Sequence, residues 1–244
     1  MNRKLGYRDI HNLCKEHRID NYRIGKDGLV SVNGDVYLHD KKLITIPINF
    51  KEVSGSFYCS DNQLISLKGC PKYIGEDFDC NSNSLIFLEG CPETVEGSFN
   101  CSYNKLISLE HSPKNTLGLY CNNNKIRSFN HFPRKIEGDL NCSYNEISSF
   151  ENCPEYIEGT LYCNGNKIAN FDGLPEFFEQ EIFLDDNPLE EIYLLFCDFR
   201  CIYWIREFGV IQGDEVVRDR LEEVYHTLGM DIPNNITLKE YILV

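Results

Sequence analysis

The segment NCSYNKLISL at residues 100–109 recurs as NCSYNEISSF at residues 141–150, with cysteine, asparagine and apolar residues in the same places. A chain that repeats one short pattern at a fixed period must stack its copies, because a single copy cannot bury its apolar residues alone. A catalytic loop is normally written once, so this recurrence indicates a stacked scaffold before it indicates chemistry.

Six cysteines define the period. They stand one per copy at spacings of 21, 21, 20, 21 and 21 residues: Cys59, Cys80, Cys101, Cys121, Cys142 and Cys163. A large apolar residue stands two positions before each cysteine, and others follow at the fifth and eighth positions. Asparagine stands three positions after every cysteine: Asn62, Asn83, Asn104, Asn124, Asn145 and Asn166. Proline follows at the twelfth position, and most copies close with a glycine.

These positions predict a short strand and a turn in each copy. Apolar and polar residues alternate around the cysteine, as they do in a strand with one buried face. Proline and glycine then predict a non-helical return path. We expect the strands to stack in parallel about 4.8 Å apart. The asparagines are expected to form a structural ladder, because a buried amide can donate to and accept from backbone groups that the turn leaves open.

The cysteines are expected to be buried and reduced. The sequence holds 12 cysteines, but six of them form one row in which a small apolar side chain is needed. Free cysteine is among the most buried residue types. We therefore expect free thiols in a reducing compartment, in preference to disulfides or metal ligands.

Charge and hydropathy argue against several classes of function. The chain has 38 acidic and 24 basic residues and a net charge of −14, which disfavours binding to nucleic acid or to an anionic membrane. No apolar run approaches the roughly 20 residues of a membrane-spanning helix, and the first residues lack the apolar core of a secretory signal. We predict a cytoplasmic protein with neither a nucleic-acid nor a membrane partner.

The unit Leu-x-Leu-x-x-Asn-x-Leu-x-x-Leu resembles the leucine-rich repeat, with Phe or Leu at the first position and Cys at the second. Stretches such as CSDNQLISLKGCP are similar to the short repeats of proteins from large bacteriophages, giant viruses and some bacteria. The resemblance covers residues 36–192, with weaker copies at both ends. It implies an α/β-repeat solenoid with a parallel β-sheet on one face, and a function in protein recognition.

Residues 1–35 and 193–244 contain no repeat, and we expect them to cap the array. The first segment predicts a short helix and a hairpin around Lys26-Asp27-Gly28. The second predicts two helices, the latter capped by Asp214 and stopped by Gly229. The apolar stripe of that helix consists of Val217, Leu221, Val224, Tyr225 and Leu228. A small docking domain with its own partner is the alternative for this segment.

The sequence predicts no catalytic residue, metal site or cofactor. His111 and His131 each lie ten residues after a cysteine, and histidines near a thiol could bind zinc. The same column otherwise holds glycine and asparagine, which favours a left-handed backbone conformation instead. Cys197 and Cys201 lie four residues apart in an apolar stretch, so we expect them to pack in a core and not to act as nucleophiles.

The exposed side of the strands is the predicted partner-binding surface. Alternation turns positions −1, +1 and +2 from each cysteine outward. These positions hold tyrosine, serine and asparagine, together with Asp61, Asp79 and Gly165, but no lysine or arginine. This composition is typical of antibody paratopes, and a solvated face with incidental tyrosines is the alternative. The candidate binding residues are Tyr58, Tyr103, Tyr120, Asn122, Tyr144 and Tyr162. Four of these tyrosines lie on successive strands and are expected to form one patch: Tyr103, Tyr120, Tyr144 and Tyr162.

These patterns together predict a non-enzymatic protein-binding module. We expect it to recognise a host or partner protein through the strands, as a viral or bacterial host-interaction or counter-defence factor. A viral protein of this kind would act in the host cytoplasm. One alternative is a structural or virion-associated scaffold. The other, ranked last, is the repeat portion of an effector-type ubiquitin ligase, whose repeats are similar but whose large helical catalytic domain has no counterpart in this sequence.

Overall fold

The structure, a computed structural model, describes residues 5–174, 181–196 and 200–244. In these ranges the helices are α1 (Tyr7–Glu16), α2 (Glu190–Leu194), α3 (Cys201–Glu207) and α4 (Arg218–Leu228). The strands are β1 (Tyr22–Ile24), β2 (Val30–Val32), β3 (Val36–Tyr37), β4 (Phe50–Val53), β5 (Phe57–Tyr58), β6 (Tyr73–Ile74), β7 (Phe78–Asp79), β8 (Thr94–Val95), β9 (Phe99–Asn100), β10 (Leu119–Tyr120), β11 (Lys135–Ile136), β12 (Leu140–Asn141), β13 (Tyr156–Ile157), β14 (Leu161–Tyr162), β15 (Ile182–Phe183), β16 (Ile211–Gln212), β17 (Glu215–Val216) and β18 (Ile242–Leu243).

Eight of these strands stack in parallel and form the first sheet of a solenoid with about seven turns. Their order is β15-β14-β12-β10-β9-β7-β5-β3. Phe57 lies opposite Phe78 and Phe78 lies opposite Phe99, and the other turns keep the same register. The predicted parallel repeat solenoid is therefore confirmed, because residues equidistant from their cysteines become neighbours in the stack.

A second row of short strands follows the return path of the turns, which the sequence analysis did not predict. β1, β2, β4, β6 and β8 form a five-stranded sheet, and β11 pairs separately with β13. Between residues 36 and 174 the chain contains strands and turns but no helix. The expected α/β repeat is thus a β-repeat in this part of the array, and the helices of the described ranges lie outside it.

Residues whose sizes compensate each other fill the core of each turn. In three copies, phenylalanine precedes the cysteine by two positions and leucine follows it by eight: Phe57 with Leu67, Phe78 with Leu88, and Phe99 with Leu109. In the next three copies the two types are exchanged: Leu119 with Phe129, Leu140 with Phe150, and Leu161 with Phe171. All twelve residues are at most 1% exposed. At these two positions each turn therefore contributes one phenylalanine and one leucine, which keeps their summed volume constant.

Exchanging the two residues within one turn is expected to be tolerated better than either single change. Phe78→Leu leaves a cavity and Leu88→Phe overfills the core, and each is expected to destabilise the fold by about 1–2 kcal/mol. The double variant restores the volume, so we expect it to recover about 1 kcal/mol relative to the summed costs. Denaturant unfolding of the three variants measures this coupling, and additive costs would show that the two positions pack independently.

The repeat pattern changes at residues 109–119, a segment that we call the seam. The cysteine spacing across it is 20 residues and not 21, and the exchange of phenylalanine and leucine occurs here. The second sheet is also interrupted, since β8 ends the five-stranded sheet and β11 belongs to a separate pair. The buried hydroxyl of Thr116 lies 2.8 Å from the carbonyl oxygen of Gly97 and 2.9 Å from that of Gly118. This hydroxyl supplies a hydrogen-bond donor in a turn where the second sheet has no strand.

The N-terminal segment contains the predicted short helix and hairpin. Helix α1 buries Ile10 and Cys14 against the core. β1 and β2 form an antiparallel hairpin, in which Gly28 has a φ of 84°. β2 then pairs in parallel with β4, so the hairpin continues the second sheet.

The structure corrects two details of the C-terminal prediction. Asp214 does not cap α4, because the residues after it form β17 between β16 and β18, and the helix begins only at Arg218. The first predicted helix is replaced by the short helices α2 and α3, and Cys197 lies outside the described residues. Cys201 is buried, and Gly229 ends α4 with a φ of 69°, as predicted. No described helix has the length and apolarity needed to cross a membrane.

Candidate functional site

The asparagine row forms a line of hydrogen bonds between neighbouring turns. Asn145 donates through Nδ2 to the carbonyl oxygens of Cys121 at 3.1 Å and Cys142 at 3.0 Å. Its Oδ1 accepts the backbone N–H of Ile126 at 3.0 Å. The other asparagines bond the turn before them in the same way: Asn62, Asn83, Asn104, Asn124, Asn166 and, in the last copy, Asn187. These amides face the backbone, so they position the strands and are not themselves open to a partner.

The cysteine row lies inside the solenoid. Cys59, Cys80, Cys101, Cys121, Cys142 and Cys163 are fully buried. Burial raises the pKa of the thiols of Cys80, Cys121 and Cys163 well above the ordinary value. Because the thiolate and not the thiol is the nucleophile, these side chains behave as small apolar residues.

The histidine column adopts the conformation that its composition predicts. His111 has a φ of 71° and His131 has a φ of 69°. The other members of the column also have positive φ: Gly69, Gly90, Asn152 and Gly173. In the part of the chain that the structure describes, no group of three His, Cys, Asp or Glu side chains is arranged to hold a metal ion.

The outer side of the first sheet is the candidate site, and we call it the strand face. It comprises positions −3, −1, +1 and +2 around the cysteine row, with Leu38 and Leu184 standing in for cysteine in the first and last strands. Ser60, Ser102 and Ser143 at position +1 were expected to be exposed, and this is wrong because all three are buried. Their short side chains do not reach past their neighbours, and the Ser102 hydroxyl bonds Asn122 Oδ1 in the next strand at 2.6 Å.

The predicted tyrosines occupy two rows of the strand face. Tyr120 and Tyr162 stand directly before their cysteines, are partly buried and have the strand of Asn141 between them. Tyr103 and Tyr144 stand two positions after their cysteines and are 57% and 52% exposed. Tyr58 lies apart from these four, nearer the N-terminal end of the sheet.

Two aromatic residues of the strand face were missed by the sequence analysis. Tyr37 stacks on Tyr58 with ring centroids 5.4 Å apart, and Phe183 stacks on Tyr162 with centroids 5.2 Å apart. Both belong to the terminal copies, in which leucine replaces the cysteine. Their position directly before that leucine is the signal that could have found them.

Tyr103 and Tyr144 adopt a backbone conformation that tyrosine rarely takes. Their φ angles are 53° and 56°, in the left-handed region. The other residues at this position share the conformation. They are aspartate, asparagine and glycine, which tolerate a positive φ, and one serine: Asp40, Asp61, Ser82, Asn123, Gly165 and Asp186. For a residue with a bulky side chain this region costs about 1–2 kcal/mol. The Tyr144 ring lies over Gly165, where an added Cβ would be 2.5 Å from the ring.

Asp79 places a partly buried carboxylate among the tyrosines and asparagines of position −1. Its Oδ1 accepts the backbone N–H of Asn81 at 3.0 Å and the side-chain Nδ2 of the same residue at 2.7 Å. Burial raises the pKa of this carboxyl, the bonds from Asn81 lower it, and the charges of Asp61 and Asp77 raise it further. Ionisation of Asp79 therefore lowers the free energy of unfolding.

The fold and this surface define a class: a parallel-strand repeat solenoid whose first sheet exposes aromatic, amide and carboxylate side chains. No protein-family model matches the chain, and no curated protein matches it.

Proposed function

We propose that the chain is a non-enzymatic protein-binding module of the leucine-rich-repeat type, which recognises a host or partner protein through the strand face. The observation that carries this proposal is the left-handed conformation of Tyr103 and Tyr144. Backbone strain of this kind clusters at functional sites, because stability alone selects against it. Both rings are more than half exposed, so core packing does not account for them.

The chemistry of these side chains suits a protein interface. Tyrosine is enriched among interface hot spots, since it supplies a large contact area with few rotatable bonds. The strands beneath are fixed by the sheet and by the asparagine row, so little conformational entropy is lost when a partner docks. We infer a viral or bacterial host-interaction or counter-defence factor that acts in the cytoplasm, and the net charge of −14 argues against a nucleic-acid partner.

Replacing the two strained tyrosines is expected to weaken partner capture sharply without loss of stability. Tyr103→Asn with Tyr144→Asn installs the residue type that Asn123 shows in the same row with a φ of 57°. Relief of strain is expected to keep or raise the free energy of unfolding, by about 1 kcal/mol per site. Loss of two hot-spot side chains is expected to weaken binding by about 2 kcal/mol or more. Affinity capture from the native cell, followed by mass spectrometry, compares wild type and variant.

The matched control is Tyr73→Asn, since Tyr73 is 43% exposed but lies on β6 in the second sheet. This variant is expected to capture the same partner as wild type. Equal capture by the double variant would show that the strand face is not the docking surface. Loss of capture by the Tyr73 variant alone would show that the interface lies on the second sheet.

A structural scaffold is the second candidate, and an apolar stripe on the turns favours it. Exposed isoleucines stand six positions after the cysteine row in four successive turns: Ile44, Ile65, Ile86 and Ile107. A stripe of this kind suits side-by-side association of rigid rods. A scaffold would keep its associations in the tyrosine double variant and lose them when Ile65 and Ile86 are replaced by serine.

A further inference from the structure

We propose that the strand face binds a cationic, arginine-bearing segment of its protein partner, held between carboxylates and aromatic rings. This inference rests on the proposed function and specifies the chemistry of the partner. It is carried by three observations on the strand face: unpaired carboxylates, a group of neighbouring aspartates, and stacked aromatic pairs.

In the described part of the chain, no lysine, arginine or histidine forms an ion pair with a carboxylate of the strand face. Nine of its residues are acidic: Asp35, Asp40, Asp61, Asp77, Asp79, Asp139, Glu181, Asp185 and Asp186. No position of the face holds lysine or arginine. A surface with this potential attracts and orients a positively charged partner.

Several charges elsewhere on the array are paired between neighbouring turns. Lys68 lies 3.1 Å from Glu89, and Arg134 lies 3.3 Å from Glu155. Lys72 forms the same kind of pair with Glu93. The repeat therefore offers cations to some carboxylates of its return path, whereas it offers none to those of the strand face.

Asp61, Asp77 and Asp79 lie on neighbouring turns, close enough for the charges of Asp61 and Asp77 to raise the pKa of the Asp79 carboxyl. One oxygen of Asp77 accepts the backbone N–H of Ser98 at 2.8 Å, and Asp79 is bonded to Asn81. Neither contact neutralises a carboxylate. Because a partly desolvated carboxylate is stabilised by a cation that joins it, a guanidinium docking here gains more than it would at an isolated surface acid.

The stacked aromatic pairs on either side of this group favour arginine over lysine. Tyr37 and Tyr58 are nearly parallel at 6°, as are Tyr162 and Phe183 at 4°. A planar guanidinium stacks on aromatic faces and also binds carboxylates in a bidentate manner, which an ammonium group does not. From β5 to β14 the sheet crosses five strand spacings, or about 24 Å. An extended segment of about eight residues is long enough to reach both pairs.

A fluorescein-labelled decapeptide of alternating arginine and glycine tests the inference by fluorescence anisotropy. We expect it to bind the full chain at low salt and to bind more weakly as salt is raised, whereas a peptide with glutamine in place of arginine is not expected to bind. Asp61→Asn with Asp77→Asn and Asp79→Asn is expected to weaken binding at least tenfold. The triple variant is expected to fold, because Asn123, Asn100 and Asn141 occupy two of the same rows and asparagine keeps the acceptor oxygen.

The matched control removes the same amount of charge from the return path. Glu110, Glu151 and Asp172 all stand nine positions after their core cysteine and are exposed. Glu110→Gln with Glu151→Gln and Asp172→Asn is expected to change binding by less than about twofold, the scale of a screened long-range effect. Equal weakening by the two triple variants would show a non-specific charge effect and would overturn the inference.

The failure of this inference can be told apart from the failure of the proposed function. If the arginine peptide does not bind while the tyrosine double variant loses its captured partner, the strand face is an interface but its partner is not cationic. If the peptide binds and the aspartate triple variant does not weaken it, the cationic site lies elsewhere. Thermal unfolding gives an independent readout, because removal of the Asp79 charge is expected to raise the melting temperature at neutral pH.

Discussion

Replacement of Asn145 by alanine is expected to lower the free energy of unfolding by about 2–3 kcal/mol. The substitution leaves the N–H of Ile126 without its acceptor and removes the donor from the carbonyls of Cys121 and Cys142. Asn145 is buried, so water does not readily replace these bonds, and each unsatisfied group costs about 1–3 kcal/mol. The damage is expected to reach neighbouring turns, because each turn of an array is stabilised by those beside it.

Urea unfolding followed by circular dichroism measures this effect, with Asn130→Ala as the matched control. Asn130 is exposed, and its Oδ1 accepts only the exposed amide of Asn152 at 2.9 Å. Its replacement is expected to change stability by no more than about 0.5 kcal/mol. Asn124→Ala tests the same row one turn earlier, at a less buried position. An unchanged midpoint for Asn145→Ala would mean that the row does not stabilise the solenoid.

The thiols of the cysteine row are expected to react at least about 1000-fold more slowly in the native protein than in denaturant. Reaction requires opening of the array, and for a domain of ordinary stability that opening is populated less than about once in a thousand molecules. Time-resolved labelling with mass spectrometry identifies each site. Cys91 is only partly buried and serves as the internal control, since it is expected to be labelled before Cys101, Cys121 and Cys142. Fast labelling of these three would mean that the buried and exposed sides of the first sheet are the reverse of those described.

Alkaline pH is expected to lower the free energy of unfolding through the buried thiols of the cysteine row and of helix α1. Burial raises the pKa of Cys14 to about 11 and raises that of Cys101 further. A group whose pKa is higher in the folded state keeps its proton there while the unfolded chain loses it. Stability from these groups is therefore full below the unfolded pKa of about 8.5 and declines as the pH rises above it.

The sequence predicts the first sheet well because one strong pattern specifies it. The fixed distance from cysteine to asparagine sets the register of neighbouring strands, and the composition at His111 and His131 indicates a left-handed backbone. The second sheet could not be predicted in the same way. Strands such as Lys135–Ile136 lack the cysteine and asparagine rows that mark the first sheet, and they form only because neighbouring turns bring them together. β17 and β18 are likewise joined by a pairing between residues 215 and 242 that no local pattern indicates.

The strand face was predicted in outline but not in its conformation. Tyr103 and Tyr144 were identified as exposed, and their left-handed backbone was overlooked. The signal was present in the same column, where Asp61, Asn123 and Gly165 are residues that this conformation favours. Asp79 was placed on the exposed side, but its raised pKa depends on Asp61 and Asp77 and follows only from the folded arrangement.

The seam at residues 109–119 bears on how the array opens. Across it, the first sheet continues through β9 and β10, and the asparagine row continues through the bond from Leu106 to Asn124, but the second sheet does not. In a linear array the weakest junction divides the chain into separate cooperative units. Tyr103 precedes the seam and Tyr120 follows it, so a ligand that contacts both would hold the two sides of the seam together. Binding would then slow amide hydrogen exchange across the junction more than within either unit.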